Sequence, residues 1–327
     1  PLLKHQPLVH QHYADVQIIP AMRDLILDLP RQLNEGIAAG RPHAPKKQYR
    51  RFVICAMGGS SVAGEMLSMV HDNVVIHWDY DLPTPVQDDD LVVCISWSGN
   101  TEEVLSSYDA ARSKGLDTFV ITTGGKLADR ARSEGTPLVL LPLRSPVPRA
   151  VVGYMVGALF GALGLEQELP TGLEPSRIER KGREVAQVLA GRIAVIYSAY
   201  PWRKVAGWFK TLLNENAKLH AFAANLPSAA HNELAGWSGP YQNVAVPVFI
   251  RDTADSSEYS RTLDAMLAIL GKMGYNGISL ELAGTTVLEK ALNAYILGLW
   301  TSIHAAQAHS VDPADTTLIE EFKKLKG

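Results

Sequence analysis

The sequence has few cysteines and no surplus of charge of either sign. Of its 327 residues only Cys55 and Cys94 are cysteines, and both lie inside apolar, strand-like runs. This usage predicts buried free thiols and argues against a disulfide framework. A formal net charge of -3 gives no basic excess for binding nucleic acid or an anionic membrane. Any phosphate site must therefore be local.

Long apolar runs are also missing. The longest uncharged stretch, between Arg149 and Glu166, is rich in Gly and Ala. It is shorter than the roughly 20 residues that a membrane span needs, so it predicts a buried helix. Residues 1–13 are polar and His-containing, without the apolar core of a secretion signal. We therefore expect a cytoplasmic protein with no membrane partner.

Patterns for metals and nucleotides are absent as well. His10 and His12 lie near the start of the sequence, His304 and His309 are five apart, and no Cys or His-Glu cluster has the spacing of metal ligands on one helix face. The glycine-rich stretches match neither a P-loop nor a full dinucleotide fingerprint. The sequence predicts no required metal and no cofactor.

Apolar runs alternate with segments of helical character, which is typical of an α/β fold with parallel sheets covered on both faces. We predict an N-terminal helical segment over residues 1–45, a first domain over 46–165, a linker and helix over 166–190, and a second domain with a C-terminal helix over 191–327. The predicted strands are 52–56, 91–95, 118–121, 138–141, 193–197, 218–223, 244–250 and 277–282.

Two loops that follow predicted strands have the composition of phosphate sites. Gly58, Gly59 and Ser60 come between a strand and a helix, where consecutive glycines let an anion approach backbone N-H groups. The alternative is a tight strand-to-helix turn. The second loop contains Ser96, Ser98 and Thr101, whose hydroxyls could coordinate phosphate oxygens without a lysine or arginine. Its alternative is capping of the next helix by Ser98 or Thr101.

A resemblance follows from these loops and from motifs in the second half. The Ser-Trp-Ser-Gly-Asn-Thr-Glu-Glu run, the Asn-Glu-Asn motif around Glu215 and the His-Asn-Glu motif beginning at His231 resemble the bifunctional phosphoglucose/phosphomannose isomerases of the phosphoglucose isomerase superfamily. That resemblance implies two sugar isomerase (SIS) domains, each with a doubly wound, flavodoxin-like parallel sheet. It spans nearly the whole chain after the N-terminal helices.

The resemblance also implies roles for individual residues. Glu215 matches the base that transfers the substrate proton, and Arg149 matches the arginine that stabilises the enediolate. His231 matches a histidine that assists ring opening from the partner subunit, which implies a homodimer. Thr316 and Lys323 match C-terminal residues that admit mannose phosphate and assist ring opening. Neighbouring Thr317 and Lys324 leave the register of this last pair open.

Each of these residues has a structural alternative. Glu215 could be a surface residue or a helix cap, although apolar neighbours on the preceding helical face favour partial burial and a useful pKa. Arg149 could lie at a helix entry and reach solvent, and His231 could be an ordinary surface histidine. Trp97 and the Ser60-Ser61 pair depart from the related sequences and could alter sugar preference.

The resulting functional prediction is reversible aldose-ketose isomerisation of glucose 6-phosphate and mannose 6-phosphate to fructose 6-phosphate, through ring opening and a cis-enediol. Two alternatives stay open. One is a non-catalytic phosphosugar sensor on the same fold, and the other is an isomerase of an amino sugar or heptose phosphate.

Overall fold

The computed structural model describes residues 18–43 and 47–326. Within them the chain forms nine strands and twelve α-helices. The strands are β1 Arg51–Ala56, β2 Val74–His77, β3 Asp90–Ser96, β4 Asp117–Thr122, β5 Leu138–Leu140, β6 Ile193–Ala199, β7 Ala221–Leu226, β8 Ala245–Arg251 and β9 Ile278–Glu281. The helices are α1 Ile18–Leu27, α2 Leu29–Gly40, α3 Val62–Leu67, α4 Glu102–Ser113, α5 Gly125–Ser133, α6 Val152–Leu163, α7 Pro175–Leu189, α8 Arg203–Ala217, α9 Ser228–Gly236, α10 Ser257–Lys272, α11 Val287–Ala308 and α12 Thr317–Lys326.

The strands form two all-parallel sheets with helices between them. The first sheet has the order β2-β1-β3-β4-β5 and the second the order β7-β6-β8-β9. In each sheet the chain starts in an inner strand and then winds both ways, which is the doubly wound arrangement predicted for the sequence. The α/β fold class is therefore confirmed, while the four residue boundaries of the segments stay predictions.

Two strands differ from the sequence prediction. The edge strand β2 was missed because it is short and half-exposed and so lacks a continuous buried run. In the second half we predicted a strand over residues 218–223, but β7 covers Ala221–Leu226. The difference arises because α8 extends to Ala217 and is capped by Lys218, whose φ of 55° is left-handed.

The predicted uncharged helix is α6, which is buried along almost its whole length. It packs on α2 through glycines that bring the two backbones into contact. A Cβ added to Gly157 would lie 2.2 Å from the Leu33 carbonyl oxygen, and one added to Gly36 would lie 2.4 Å from that of Tyr154. The N-terminal helices thus form part of the first core, and only glycine permits this approach.

Apolar side chains from both sheets belong to one continuous core. It contains Ile54 and Val93 of the first sheet together with Ile196 and Val248 of the second. Helix α1 also reaches the second half, where Arg23 pairs with Glu179 of α7 at 3.0 Å.

The two cysteines lie side by side on neighbouring strands, because Cys55 of β1 is in register with Cys94 of β3. Both are buried and neither forms a disulfide, so the prediction of buried free thiols is confirmed. No helix in the two described ranges is both long enough and apolar enough to cross a membrane.

Candidate active site

Arg149 lies at the junction of the two halves, in a one-turn 3-10 helix, Pro148–Ala150, that precedes α6. Only 2% of its surface is exposed, and three groups of the second half accept its hydrogen bonds. Its Nη1 donates to Glu215 Oε2 at 2.7 Å, its Nη2 to the Pro313 carbonyl at 2.6 Å, and its Nε to Asn216 Oδ1. Burial lowers the pKa of Arg149, although the Glu215 charge opposes this. The alternative of an arginine extending into solvent is excluded.

Glu215 and Asn216 occupy the last turn of α8, where the apolar face of the helix fixes their direction. The Glu215 side chain keeps 27% of its surface exposed. Asn216 is fully buried and donates through Nδ2 to Ser302 Oγ of α11 at 2.8 Å. The helix-cap alternative for Glu215 is wrong, because this residue ends a helix instead of beginning one. One carboxylate oxygen is tied to Arg149 while the side chain still reaches solvent.

Lys218 is a neighbour to which sequence reasoning gave no role. Its Nζ donates to the backbone carbonyls of Glu215 at 2.6 Å and of Asp315 at 2.9 Å. Burial, together with the nearby Arg149 charge, lowers the pKa of this ammonium group. With the Arg149 bond to Pro313, Lys218 ties the C-terminal segment to the end of α8. Its sequence signal is its place two residues after the Asn-Glu-Asn motif.

The Gly58-Gly59 loop packs directly against the turn that contains Arg149. Gly58 has a φ of 53°, a left-handed value that glycine adopts without strain. A Cβ on Gly59 would lie 2.9 Å from the Arg149 backbone nitrogen, closer than real side chains allow. The glycines are therefore required for the close approach of this loop to the buried arginine.

The serine-rich loop after β3 is held by its own hydroxyls. Ser96 Oγ lies 2.9 Å from Thr101 Oγ1 and accepts the Gly99 backbone N-H at 3.1 Å. Thr101 occupies the N-cap of α4, but its side chain caps no helix N-H, so the capping alternative is wrong for this residue. Ser98 is exposed, and its Oγ accepts the Asn100 N-H at 3.2 Å.

A hydrogen bond joins the two loops, because the backbone N-H of Trp97 donates to Ser60 Oγ at 3.1 Å. Ser60 is buried, so its hydroxyl connects the loops inside the protein. The Trp97 indole is buried as well and donates to the Ser145 carbonyl at 2.7 Å. Trp97 therefore has a packing role, and its side chain is not presented to a ligand.

A cavity of about 260 Å³ lies beside the Gly58-Gly59 loop and Arg149, at the contact between α3 and α8, and its lining includes neither Glu215 nor the serine-rich loop. The lining residues used below are Gly58, Gly59, Ser61, Glu65, Arg149 and Trp208. The site thus combines two glycine- and serine-containing loops, a buried arginine and an adjoining carboxylate. This arrangement can bind an anion and move a proton beside a fixed positive charge.

Comparisons with known proteins agree with this chemistry. The chain is 33% identical over 291 residues to the bifunctional phosphoglucose/phosphomannose isomerase of Aquifex aeolicus, covering 84% of this chain and 90% of that protein. The chain belongs to the bifunctional phosphoglucose/phosphomannose isomerase family. Residues 178–325 match the bacterial phospho-glucose isomerase C-terminal SIS domain.

One further protein resembles this chain in sequence, and one solved structure resembles it in fold. A D-glucosamine-6-phosphate 4-epimerase of Sulfolobus acidocaldarius is 31% identical over 214 residues, covering 62% of this chain and 69% of that protein. The crystal structure of a hypothetical protein from Thermus thermophilus shares the fold, with a TM-score of 0.72 at 18% identity over 94% of this chain and 93% of the other.

Within a single chain, the structure does not bring His231 to the site. It is exposed on α9, which follows the edge strand β7. Phe222 on β7 is also exposed, by 55%, and stacks on His220. The region around His231 is therefore an open surface of the single chain.

The segment before α12 contacts Arg149 through Pro313 and Lys218 through Asp315. Thr316 precedes α12, and Thr317 Oγ1 donates to Asp315 Oδ1 at 2.6 Å. Lys323 pairs with Glu320 at 2.7 Å, and Lys324 is exposed. These positions do not show whether Thr316 and Lys323, or Thr317 and Lys324, match the C-terminal residues of the related isomerases.

Sequence reasoning missed Lys326, which lies near the serine-rich loop. Its Nζ contacts the Tyr80 hydroxyl and pairs with Glu102 at 2.8 Å and Glu103 at 3.3 Å. These two glutamates begin α4, immediately after Thr101. The end of α12 is thereby attached to the helix that follows the loop. A lysine-rich C-terminus gave no indication of which lysine makes this contact.

In residues 18–43 and 47–326, no three His, Cys, Asp or Glu side chains come together as metal ligands. His10 and His12 lie outside the described residues.

Proposed function

We propose that this chain interconverts glucose 6-phosphate or mannose 6-phosphate with fructose 6-phosphate, with Glu215 as the base. The observation that supports this most directly is the 2.7 Å pair between Glu215 and the buried Arg149, beside the two loops and the cavity. The relatives named as phosphoglucose/phosphomannose isomerases support the choice of substrates.

The phosphate binds at the loop formed by Ser96, Ser98 and Thr101. The hydroxyl groups of this loop donate hydrogen bonds to the phosphate, and the N-terminus of α4 supplies further donors and a favourable dipole. The near-neutral chain therefore needs no basic patch. Gly58 and Gly59 let the sugar approach the backbone beside Arg149, and Ser60 keeps the loops together through Trp97. A phosphate held at one end orients the carbon chain toward Glu215.

The reaction then needs one carboxylate and one fixed cation. After ring opening, Glu215 takes the proton from C2 of the aldose, and the electron pair forms a cis-enediolate between C1 and C2. A proton passes from O2 to O1 of this intermediate, and return of the carbon-bound proton to C1 then gives the ketose, so the carboxylate ends as it began. The Arg149 guanidinium stabilises the negative oxygen, and its burial strengthens that interaction.

In this proposal Thr316 and Lys323 of the C-terminal segment act on the substrate. Thr317 and Lys324 are the alternative pair. The bonds from Arg149 to Pro313 and from Lys218 to Asp315 support this, since they attach the segment to the catalytic end of α8. Lys323 must leave Glu320 to reach a sugar.

A homodimer supplies His231. The exposure of α9 and of Phe222 on the adjoining edge strand supports contact with a second copy, which would bring the histidine to the ring oxygen of the partner's substrate. Cytoplasmic location also belongs to this proposal, and the absence of a disulfide between Cys55 and Cys94 is compatible with it.

Glu215→Gln tests the base, because the amide keeps the shape of the side chain but cannot accept the proton. In EDTA, we expect wild-type turnover of both sugar phosphates and a loss of about 10³-fold or more in kcat for the variant. The matched control is Glu184→Gln, an exposed glutamate on α7 that pairs with Arg180. Turnover that survives in Glu215→Gln contradicts the base assignment, and wild-type activity lost to EDTA contradicts metal-free catalysis.

Mixing two inactive variants tests the shared site. If His231 works across the interface, a heterodimer of Glu215→Gln and His231→Ala contains one intact site. Random exchange of subunits should then restore about a quarter of wild-type activity. No recovery after verified exchange would place His231 and Glu215 in the same chain's site.

An amino-sugar phosphate is the second candidate substrate, because the chain is 31% identical to a D-glucosamine-6-phosphate 4-epimerase. Product analysis with glucose, mannose, glucosamine and heptose phosphates distinguishes these possibilities. Turnover of glucosamine 6-phosphate alone would favour the second candidate, and binding without turnover of any of them would favour a sensor.

A further inference from the structure

The carboxyl group of Glu65 lines the cavity but has no part in the mechanism above. Glu65 lies on α3, and its Oε2 accepts the indole N-H of Trp208 from α8 at 2.6 Å. Its other oxygen, Oε1, lies 2.5 Å from Ser61 Oγ. The side chain is thus held from both halves of the molecule, in the same cavity as Gly58 and Arg149.

The positions of the protons around Ser61 determine the state of Glu65. Ser61 Oγ lies 2.8 Å from the Gly58 carbonyl oxygen as well as 2.5 Å from Glu65 Oε1. A hydroxyl has one proton, so Ser61 cannot donate to both oxygens. If Glu65 is protonated at Oε1, it donates to Ser61, and Ser61 donates to Gly58. Both contacts are satisfied only in this state.

The surroundings of Glu65 favour the neutral acid. Burial raises the pKa of Glu65, and the opposing hydrogen bonds from Ser61 and Trp208 and the charge of Lys204 do not cancel the effect. The Lys204 ammonium donates to the Ser68 carbonyl at 3.4 Å, and burial lowers the pKa of Lys204 as well. The other charged or titratable side chains that face the cavity are Arg149, Lys210 and Tyr295.

We propose that Glu65 is a positioning residue that works as a neutral acid, fixing the Gly58-Gly59 loop through Ser61. This inference rests on the proposed function, in which that loop binds the sugar. Ionisation removes the donor to Ser61, which then turns its proton to the carboxylate and leaves the Gly58 carbonyl with the Ser61 backbone N-H at 3.1 Å. The loop is therefore ordered at low pH and loses this support as pH rises through the raised pKa of Glu65.

Glu65→Gln is the decisive variant, because its amide N-H can donate to Ser61 and its oxygen can accept from Trp208 at every pH. At acidic pH its kcat/KM should lie within about threefold of wild type, the scale of one exchanged hydrogen bond. The wild-type value should fall at alkaline pH while that of Glu65→Gln stays level, and Glu184→Gln should follow wild type. Ser61→Ala should raise KM about tenfold, with a smaller change in kcat.

Parallel pH profiles of wild type and Glu65→Gln would overturn the proposal. Loss of Glu65→Gln turnover at every pH would also overturn it, because the enzyme would then need Glu65 as an ionised carboxylate. Infrared difference spectroscopy of the folded, substrate-free protein gives an independent measurement. A protonated carboxylic C=O band should be present in wild type, disappear on titration to high pH and be missing in Glu65→Gln. Its absence in wild type overturns the proposal even if the enzyme is an isomerase, while its presence without turnover contradicts only the proposed function.

Discussion

At the scale of single residues, buried charges with several partners determine the response to pH. Asp90 begins β3 and is fully buried, yet it accepts hydrogen bonds from Arg50 at 2.7 Å, Arg51 at 2.8 Å and the Gln87 N-H at 3.0 Å. Burial alone would raise the pKa of Asp90, but these partners outweigh it and the pKa lies below the usual value. The ionised form is therefore favoured by folding.

Asp90→Asn should make the protein less stable at neutral pH and less sensitive to acid. A lowered folded-state pKa gives stability that is present above the unfolded pKa and is lost as pH falls through the folded value. We expect a loss of about 2–4 kcal/mol at pH 7, because two arginines lose a buried partner, and a smaller loss at pH 3. Urea unfolding at both pH values measures this, and an equal loss at both would contradict it.

Residues of the site differ in how far the sequence determines them. The sequence identified Arg149 and Glu215 through a resemblance, but their hydrogen bonds to Pro313 and to each other join positions far apart in the chain. Lys218 and Lys326 were missed for the same reason, since only the fold brings them to Asp315 and Glu102. A lysine on a surface helix has no local pattern that predicts such contacts.

At the scale of elements, glycines set the distance between helices. Gly157 of α6 faces the Leu33 carbonyl of α2, and an added Cβ would lie 2.2 Å from that oxygen. Gly271 of α10 has no atom within 4 Å of an added Cβ. Gly157 lies in the middle of α6 and Gly271 next to the end of α10, and the main difference between them is the packing around an added Cβ.

Gly157→Ala should destabilise the protein by about 2–4 kcal/mol through overpacking, whereas Gly271→Ala should stabilise it by about 0.5–1 kcal/mol. Denaturant unfolding of both variants tests this. Equal changes in the free energy of unfolding would show that α6 can move away from α2 without a loss of stability.

Gly59→Ala should separate the first loop from Arg149, because an added Cβ would lie 2.9 Å from the Arg149 nitrogen. We expect kcat/KM to fall by about 10²-fold, the effect of misplacing reacting groups by roughly 1 Å. The control is Gly172→Ala, where nothing lies within 4 Å of the new atom. Activity kept in Gly59→Ala, measured by sugar-phosphate turnover, would contradict the need for close approach.

Inner strands were predictable from sequence, whereas two of the four edge strands, β2 and β7, were missed or misplaced. The strands β1, β3 and β4 are buried on both faces and therefore appear as continuous apolar runs. The edge strand β2 is half-exposed, and β7 is buried only at Ala221 and Leu226, with Phe222 exposed. Edge strands lack a second neighbour, so their burial and bounds depend on tertiary packing.

At the scale of the whole molecule, the sequence predicts two domains, and the structure shows how their sheets pack together. The core contains residues of both sheets, α1 contacts α7 through Arg23 and Glu179, and Arg149 of the first half bonds to three groups of the second. Periodicity within each segment cannot show such contacts. The proposed role of His231 in a homodimer is likewise beyond what local patterns can show, since its helix is exposed in the single chain.

A continuous core predicts that both halves unfold together. Trp97 is buried in the first half, and Trp237 is buried in the second, where its indole donates to Tyr197 at 2.8 Å. In protein labelled with fluorotryptophan, the ¹⁹F signals of these two residues should change at the same urea concentration, and a bound sugar phosphate should raise both midpoints equally. Because the proposed ligand contacts both halves, its binding free energy should be shared by a single transition. Two separate midpoints, or a ligand effect on Trp97 alone, would mean that the contacts through Arg149 and α1 are too weak to couple the sheets.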